Sequence, residues 1–410
     1  MRNNEFTKIL KWPGYRVWQW AIDEKRRELK LWVRRKSGNR KYPCSGCGRK
    51  FSQFCDFTQR EVRDLPWSQY QTIVVMEVHR VRCPDCGVKV EKIAQLPGKA
   101  PFSERFEDEV GRRCESAAVR QVARQVGLAA STVRAIELRY LERWDRRRRR
   151  SPVHRIGVDE IYLGTQKFLT VVSNLDTGEP LWFGRDRKKE TLDGFFRTQL
   201  TARQRGQITA ACVDMWAPFT QSLTQWVPQC RIVYDKFHVL RHANEAVDEV
   251  RRAEFFRQGG ERRGVMKGKR WLLLSRWAYL SPQKKRQLND LFALNRRLLK
   301  AYVLKESLER LWSYRYEGAA LRYLQNWIAQ LRWQRLKPFD KLARLLVKHL
   351  DGILNYCRTP VPFGVVEAVN ANLKSLIRRG RGYRNLRYLL LKAQRQAVLS
   401  AEEGQLGKAA

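Results

Sequence analysis

Apolar positions recur along this chain with two different periods, and the switches between them mark out its parts. Residues 70–83, YQTIVVMEVHRVRC, alternate β-branched with polar side chains, as a half-buried strand does. Between residues 103 and 145 the apolar spacing becomes helical and is broken once, at Gly127. Within it VRQVARQVGLAASTVRAI reads as a helix, a short glycine turn, Ser131 as N-cap and a second helix, with Val133 and Ile136 turned to the core. That is the helix-turn-helix layout, whose second helix enters a DNA major groove. After Ser151 the pattern is strand-rich again: RIGVDEIYLG, a GTQK turn, FLTVVSNL, a DTGE turn and PLWFGRD make three strands in hairpins. A helix (TLDGFFRTQL), a strand (ITAACVD), a helix and a strand (CRIVYDKFH) follow, and the order β-β-β-α-β-α-β predicts a mixed sheet with helices on its faces. From Val239 to Tyr356 the spacing is helical throughout, with Trp271, Trp277, Trp312, Trp327 and Trp333 among Leu and Arg. Most of these tryptophans are expected in the core, with one or two left to stack on unpaired bases.

Composition adds the partner. The 410 residues are enough for two to four domains, and 43% hydrophobic content excludes a disordered tail. Against 41 acidic residues stand 82 basic ones, a formal charge of +41 that calls for a polyanion, with nucleic acid first. The basic residues are spread along the chain and no run of about 18 apolar residues occurs, so a membrane is not expected as partner. MRNNEFTKILKWPGYR lacks the apolar core of a signal peptide, which gives a cytoplasmic expectation.

Nine cysteines in that compartment are expected to be reduced. Cys55, Cys114, Cys212, Cys230 and Cys357 are scattered singly and read as core or neutral surface residues. Cys44, Cys47, Cys83 and Cys86 form two C-x2-C pairs, each followed by Gly, and four thiolates in that pattern suit tetrahedral Zn²⁺. The pairs lie further apart than the common template of roughly 15–20 residues, so a larger inserted loop must separate the knuckles. His79 reads as a surface or DNA-facing residue rather than a ligand. On the second helix of the helix-turn-helix, Ser131, Thr132, Arg134 and Arg139 are candidates for base or phosphate contacts. The run Arg146 to Arg150 reads as a solvated linker, with Arg146, Arg147 and Arg148 available to phosphates.

Two strands carry acids among apolar residues. Alternation sends Asp159 and Glu160 to opposite faces, so Glu160 reads as a salt-bridging or capping acid. Asp159 and Asp214 can meet if the first and fourth strands are neighbours. Two such carboxylates need a shared proton or bridging cations, and paired Mg²⁺ ions would support phosphodiester chemistry. Asp235 and His238 could shape a metal site or position DNA, and a capped helix start with a satisfied histidine is an equal reading.

The segments GVDEIYLG, CVDMWAPF, IVYDKFHVLRHANEAVDEVRR and FGVVEAVNANLKSLIRRGRGYRN resemble the blocks of a bacterial insertion-sequence transposase family. Its members join a zinc-binding N-terminus and a helix-turn-helix to an RNase H-like DDE domain. The resemblance runs from about residue 40 to residue 395. It implies a multidomain α+β / α/β chain: a basic segment of unassigned role (1–40), a zinc ribbon-like module (41–99), a helix-turn-helix with an Arg-rich linker (100–150), an RNase H-like mixed sheet in two parts (151–238 and 357–400) split by an all-helical insertion (239–356), and a tail (401–410). It names Asp159, Asp214 and Glu367 as the acids that hold two Mg²⁺ (or Mn²⁺), with Asp235, His238 and Asn370 as accessory residues. On the helix that starts near Val366, Glu367, Asn370, Ala371 and Lys374 share one face, and Lys374, Arg378, Arg379 and Arg381 face the DNA backbone. Pro362 to Val366 stand where the family commonly has a small Asn-Gly stretch, and Ala368 where it has Gly.

The implied function is binding of terminal inverted repeats and metal-dependent cleavage and strand transfer on double-stranded DNA, by a homodimer or larger assembly at the bacterial nucleoid. The rivals are a transposase-derived DNA-binding regulator without nuclease activity and a structure-selective nuclease without strand transfer.

Overall fold

A computed structural model describes residues 2–38, 41–164, 167–257 and 266–409, which fall into two compact units, Met1–Arg148 and Arg149–Ala410. The first unit opens with helix α1 (Asn3–Leu10) and strands β1 (Tyr15–Asp23) and β2 (Glu28–Arg35). Short strands β3 (Tyr42–Pro43) and β4 (Lys50–Phe51) follow, then β5 (Asp56–Arg63), the long β6 (Gln71–Cys83) and β7 (Gly87–Val90). The sheet runs β1-β2-β6-β5, and β7 pairs with the far end of β6. The insertion between the cysteine pairs is therefore an antiparallel hairpin of β5 and β6 rather than a loop. Residues 3–35, to which the sequence pattern assigned no role, supply a helix and two strands of the same sheet. Val17, Leu29, Leu31, Val33, Val62, Val74 and Met76 alternate inward from four strands and pack with Phe6 and Leu10 of α1.

Three helices complete the unit: α2 (Glu104–Ser116), α3 (Val119–Val126) and α4 (Ala130–Arg147). Gly127 caps α3 at φ 63° and ψ 42°, a left-handed conformation that glycine adopts without a Cβ penalty. The tight turn leaves Ala129 extended, so Ala129 and not Ser131 is the N-cap of α4, and Val133 N–H closes the first turn on the Ala129 carbonyl at 3.0 Å. Ser131 lies inside the helix and is exposed. Val133 and Ile136 are fully buried against α2 and α3, as the periodicity predicts.

The second unit is built on β8 (Arg155–Tyr162), β9 (Phe168–Asn174) and β10 (Pro180–Arg185), followed by α5 (Lys189–Thr198), α6 (Ala202–Gly206), β11 (Ala210–Val213), α7 (Ala217–Trp226) and β12 (Arg231–Tyr234). The sheet order is β10-β9-β8-β11-β12, with β8, β9 and β10 antiparallel and β8, β11 and β12 parallel. The GTQK turn lies partly outside the described residues. Helix α8 (Lys236–Arg257) leads into α9 (Arg270–Leu274), α10 (Pro282–Leu294), α11 (Arg296–Leu308), α12 (Glu317–Leu331), α13 (Lys337–Lys348) and α14 (Leu350–Arg358), with no strand among the described residues of this stretch. Helices α15 (Phe363–Gly380) and α16 (Leu386–Ala409) return to the sheet.

The sheet separates two cores. Ile156 and Val158 face the helices α5 and α7 through Leu192, Phe195, Phe196, Phe219 and Leu223, whereas Ile161, Leu169 and Val171 meet Val369, Leu373 and Leu376 of α15. The tryptophans of the helical stretch divide differently from expectation. Trp312 and Trp327 are core residues, but Trp271 is 72% exposed and Trp333 is 80% exposed. Helical spacing marks a face of the helix, and only the neighbouring helices decide whether that face is covered.

Candidate active site and thiolate cluster

The four paired cysteines converge. Cys44 and Cys47 lie in the turn between β3 and β4, Cys83 ends β6, and Cys86 sits in the turn to β7. Their Sγ atoms all lie within 4.8 Å of one another, and Cys47 and Cys83 are 3.5 Å apart. Zn–S bonds of about 2.3 Å in a tetrahedron put sulfurs roughly 3.8 Å apart, so the donor set and its size fit Zn²⁺. Backbone closes the first knuckle: Cys44 N–H donates to the Arg49 carbonyl at 2.8 Å and Gly48 N–H to the Cys44 carbonyl at 2.9 Å. All nine cysteines are free of disulfides.

His79 stands beside this cluster but is not on the surface. It is 5% exposed, its Nδ1 is 2.8 Å from Glu91 Oε1, and the rings of Tyr42, Phe54 and Phe57 surround it. Glu91 also pairs with Arg35, so the three side chains form a buried polar group that ties β2, β6 and the end of β7 together. The pairing with a distant acid draws the histidine inward, and strand alternation alone could not reveal it.

On α4 the basic residues part ways. Arg134 is exposed and Thr132 half-buried, whereas Arg139 Nε donates to the fully buried Glu107 at 2.8 Å and Arg143 bonds the other carboxylate oxygen at 2.7 Å. A buried carboxylate requires cationic partners, so Arg139 is drawn toward α2, with a third of its side chain left exposed. Arg147 pairs with Glu104 at 2.9 Å, and Arg148 pairs with Asp145 at 2.8 Å and stacks on Trp144. The arginine run is thus helical through Arg147, with Arg148 as its C-cap, and Arg146 remains exposed.

In the second unit, register brings acids together. Val158 of β8 pairs with Val213 of β11, and Val213 pairs with Tyr234 of β12. The next residues therefore stand at one level of three adjacent strands, Asp159 within β8 and Asp214 and Asp235 just past the ends of β11 and β12. His238, one turn into α8, sits among them: its Nε2 is 3.8 Å from Asp159 and 3.7 Å from Asp214, and its Nδ1 is 3.3 Å from Asp235. Arg241 adds a cation 3.9 Å from Asp214. Burial pushes the Asp159 carboxyl up to about 6, against the lowering effect of His238. Burial works to lower His238 in turn, but the bond to Asp235 and the charges of Asp214 and Asp159 prevail and raise it.

Helix α15 closes the site from the other side. Gly157, Asp159 and Ile161 share one face of β8, and this face meets α15. A Cβ on Gly157 would lie 2.6 Å from Val366 Cγ2 and 2.9 Å from Ser173 Oγ, so only glycine allows the helix this close. One turn on, Asn370 Nδ2 donates to Asp159 Oδ2 at 2.6 Å, while Asn370 Oδ1 is buried without a hydrogen-bond partner. Asp159, Asp235, His238, Arg241, Glu367, Asn370, Lys374 and Arg378 line one cavity of about 400 Å³. Glu367 and Lys374 are exposed to it, and Arg379 and Arg381 follow on the exposed end of the helix. Pro362 serves as the N-cap residue and Phe363 is buried, so the altered stretch before Glu367 starts the helix and leaves the acid at the cavity. Glu160 points to the opposite face and pairs with Arg187 at 3.3 Å, which stacks on Phe168 and Trp216.

Sequence reasoning overlooked Gly157 and Arg241. A glycine flanked by Ile156 and Val158 in a strand is itself a signal of close backbone approach; Arg241 left none, being one basic residue among 82.

The carboxylates supply oxygen donors only, a set suited to hard divalent cations. Among the described residues three or more metal-ligating side chains come within 4.8 Å of one another only at the four cysteines, so Asp159 and Glu367 line one cavity without closing on a common point.

Known proteins resemble the chain along nearly all of it. Residues 156–393 match a transposase family of the ISL3 group, residues 40–86 the zinc-finger of the transposases of IS204, IS1001, IS1096 and IS1165, and residues 91–141 the helix-turn-helix domain of transposase family ISL3. The transposase for insertion sequence element IS1001 of Bordetella parapertussis is 31% identical over 388 residues, 93% of this chain and 95% of that protein. The transposase for IS1557 of Mycobacterium tuberculosis is 28% identical over 376 residues, 85% of this chain and 84% of that protein. Among the described residues no helix is long and apolar enough to cross a membrane.

Proposed function

The chain belongs to the ISL3 family of transposases, and from that premise we propose that it is a DDE-type enzyme that cuts and joins the DNA ends of an insertion sequence with Asp159, Asp214 and Glu367. The observation that carries this reading is the convergence of acids from β8, β11 and β12 at one level, with α15 docked on Gly157 so that Glu367 lines the same cavity as Asp159. We read the sheet as RNase H-like, a reading supported by its β10-β9-β8-β11-β12 order and its change from antiparallel to parallel pairing at β8.

Asp159, Asp214 and Glu367 would hold two Mg²⁺ or Mn²⁺ ions. Such ions activate the attacking water or 3′-hydroxyl and stabilise the leaving oxygen of the phosphodiester. The protein's own residues bind and orient. Asn370 fixes the Asp159 carboxylate by its 2.6 Å bond, and Asp235 orients His238 among the acids. Arg241 holds positive charge against the carboxylates, with His238 within 3.7 Å of Asp214, and Lys374 and Arg378 offer their cationic heads to a backbone phosphate. Ser131, Thr132 and Arg134 form the reading face of α4, and Arg146, Arg379 and Arg381 add phosphate contacts. The zinc site is structural and holds the knuckles against the sheet. Two ends must be joined, so the active form is a homodimer or larger, at the nucleoid of the cell.

The test is cleavage and joining of labelled duplexes that carry the sequences flanking the gene, with Mg²⁺. Wild type nicks and joins them, and Asp159→Asn, Asp214→Asn and Glu367→Gln bind but do neither. An Asp159→Asn variant that cut as well as wild type would overturn the assignment; binding without cleavage by wild type would favour the regulator, and cleavage without joining the nuclease.

A further inference from the structure

Asp159 and Asp214 are held in different ways. Asp159 Oδ2 accepts from Asn370 at 2.6 Å, and its Oδ1 accepts from the Glu160 N–H at 2.8 Å. Asp214 takes its hydrogen bond from its own turn, where Met215 N–H donates to Oδ1 at 2.6 Å, while His238 and Arg241 stand off at 3.7 and 3.9 Å. Its direction therefore depends on what holds the turn Asp214-Met215-Trp216. Trp216 ends that turn as the extended N-cap residue of α7, and its indole Nε1 donates to the Arg187 carbonyl at 3.1 Å.

We propose that Arg187 is a positioning residue for Asp214: it clamps Trp216 on the side of the sheet to which Glu160 points, and through Trp216 it fixes the turn that aims the Asp214 carboxylate. The proposal rests on the catalytic reading of Asp214. Arg187 touches three elements at once. Its guanidinium lies 4.3 Å from the ring centroid of Phe168, at the start of β9, and 4.7 Å from that of Trp216, and its Nη1 reaches Glu160 of β8 at 3.3 Å. The described residues that line the cavity of the acids include none of these four, so the clamp acts from behind the site and without touching the DNA that the cavity would hold.

The backbone before Arg187 is bent to deliver it there. Asp186 takes φ 81°, a left-handed conformation that a residue with a Cβ adopts at a cost and keeps where its surroundings hold it. Three hydrogen bonds do so: Asp186 N–H donates to the Phe168 carbonyl at 2.9 Å, its carbonyl accepts from Thr170 Oγ1 at 2.5 Å, and its Oδ1 accepts from the Arg187 N–H at 2.7 Å. A planar guanidinium suits contact with two aromatic rings, where an ammonium offers no flat surface. The same contacts give Glu160 its use, since its carboxylate keeps Arg187 charged and aligned while Asp159, the next residue back, faces the cavity. Partners that touch a metal-binding side chain from outside orient it in this way.

The experiment titrates Mn²⁺ into the full chain, loaded with Zn²⁺ and bound to a duplex of the sequences flanking the gene. Two constants are read: Mn²⁺ binding, from the electron paramagnetic resonance of the free ion, and the Mn²⁺ concentration that half-saturates cleavage. Arg187→Ala should raise both by about 10-fold, the scale of losing an outer partner of a metal-binding side chain, with duplex affinity in the absence of divalent ions and the thermal midpoint near wild type. Trp216→Ala should do the same, and the double variant should be no weaker than the worse single one, because both act through one turn. Trp216→Phe keeps the ring and removes the Nε1 bond; it should shift both constants the same way by less, and it reads the contact even where Arg187→Ala is too unstable to assay. Unchanged constants in Arg187→Ala, additive losses in the double variant, or a fall in duplex affinity without divalent ions, which would make Arg187 a phosphate contact, each overturns the proposal. Asp214→Asn binding Mn²⁺ as tightly as wild type would instead overturn the catalytic reading of Asp214 beneath it.

Discussion

The thiolate cluster of the N-terminal unit and the carboxylate cluster of the C-terminal unit both crowd ionisable groups, and they balance the charge in opposite ways. The four sulfurs lie within 4.8 Å of one another with no histidine in their set, so as thiolates they are stable together only around a cation. The acids have basic groups of the protein's own: His238 lies between 3.3 and 3.8 Å from Asp235, Asp214 and Asp159, whose charges raise its pKa, and the Arg241 cation lies 3.9 Å from Asp214. Their sheet is also held by apolar layers on both faces. The thiolates therefore need a metal to complete their site, whereas the carboxylates sit in a sheet whose packing does not depend on one.

Metal removal tests that contrast with the largest effect. A structural zinc contributes on the order of 10 kcal/mol or more to local folding, so a strong chelator should unfold the knuckles around residues 44–86 and weaken DNA binding. Circular dichroism and limited proteolysis should show the C-terminal unit still folded. If DNA affinity survived complete zinc loss, the structural role would be wrong.

Removing charge from the acids should give the reverse pattern. Asp159→Asn is expected to lower cleavage by roughly a thousandfold or more, several kcal/mol of transition-state stabilisation, with the thermal midpoint and DNA affinity near wild type. A large fall in the midpoint would mean that the acids serve the fold.

Within the helix-turn-helix the comparison narrows to two arginines. Arg139→Ala strips Glu107 of one partner and should cost about 1.5–3 kcal/mol of stability with unchanged base preference. Arg134→Ala should leave the midpoint in place and weaken binding to end DNA. Swapped outcomes would return Arg139 to the DNA-reading face.

Gly157→Ala presses a methyl group into Val366 and should cost about 1–3 kcal/mol by overpacking. Cleavage should fall much more than DNA binding, because the shifted helix carries Glu367. Adding Val366→Ala should restore much of the activity; no restoration would mean that the helix is not seated through this contact. The smallest effect is expected from Ser131→Ala, within about 0.5 kcal/mol. A loss near 1 kcal/mol, as for a true N-cap, would contradict the assignment of Ala129.

Legibility followed the range of the interactions involved. The cysteine pairs were readable because each knuckle is a local turn, and the succession of strands and helices in the second unit because each element carries its own period. Val213-Asp214 and Tyr234-Asp235 each follow an apolar strand with an acid, and Val158-Asp159 places one within β8, so the sequence also held a signal for the third aspartate of that level. Glu367 was identified only through a family resemblance, because an acid on an amphipathic helix looks like any surface acid until its neighbours are known. The Ser131 cap and the surface position of His79 were misplaced, and the pairing of Arg139 with Glu107 was unforeseen, for a related reason. A cap depends on where the preceding turn releases the chain, and an arginine or histidine goes wherever a buried acid draws it.

By itself the sequence determined the zinc ligands, the apolar faces of the strands and helices, and the opposite directions of Asp159 and Glu160, since spacing and alternation act within a few residues. Tertiary structure alone decided which basic residues stay exposed, which tryptophans are covered, and that Asp159, Glu367 and Asn370 share a cavity. These depend on strand register and on the depth at which α15 rests on Gly157, and both are set by contacts between segments some 200 residues apart.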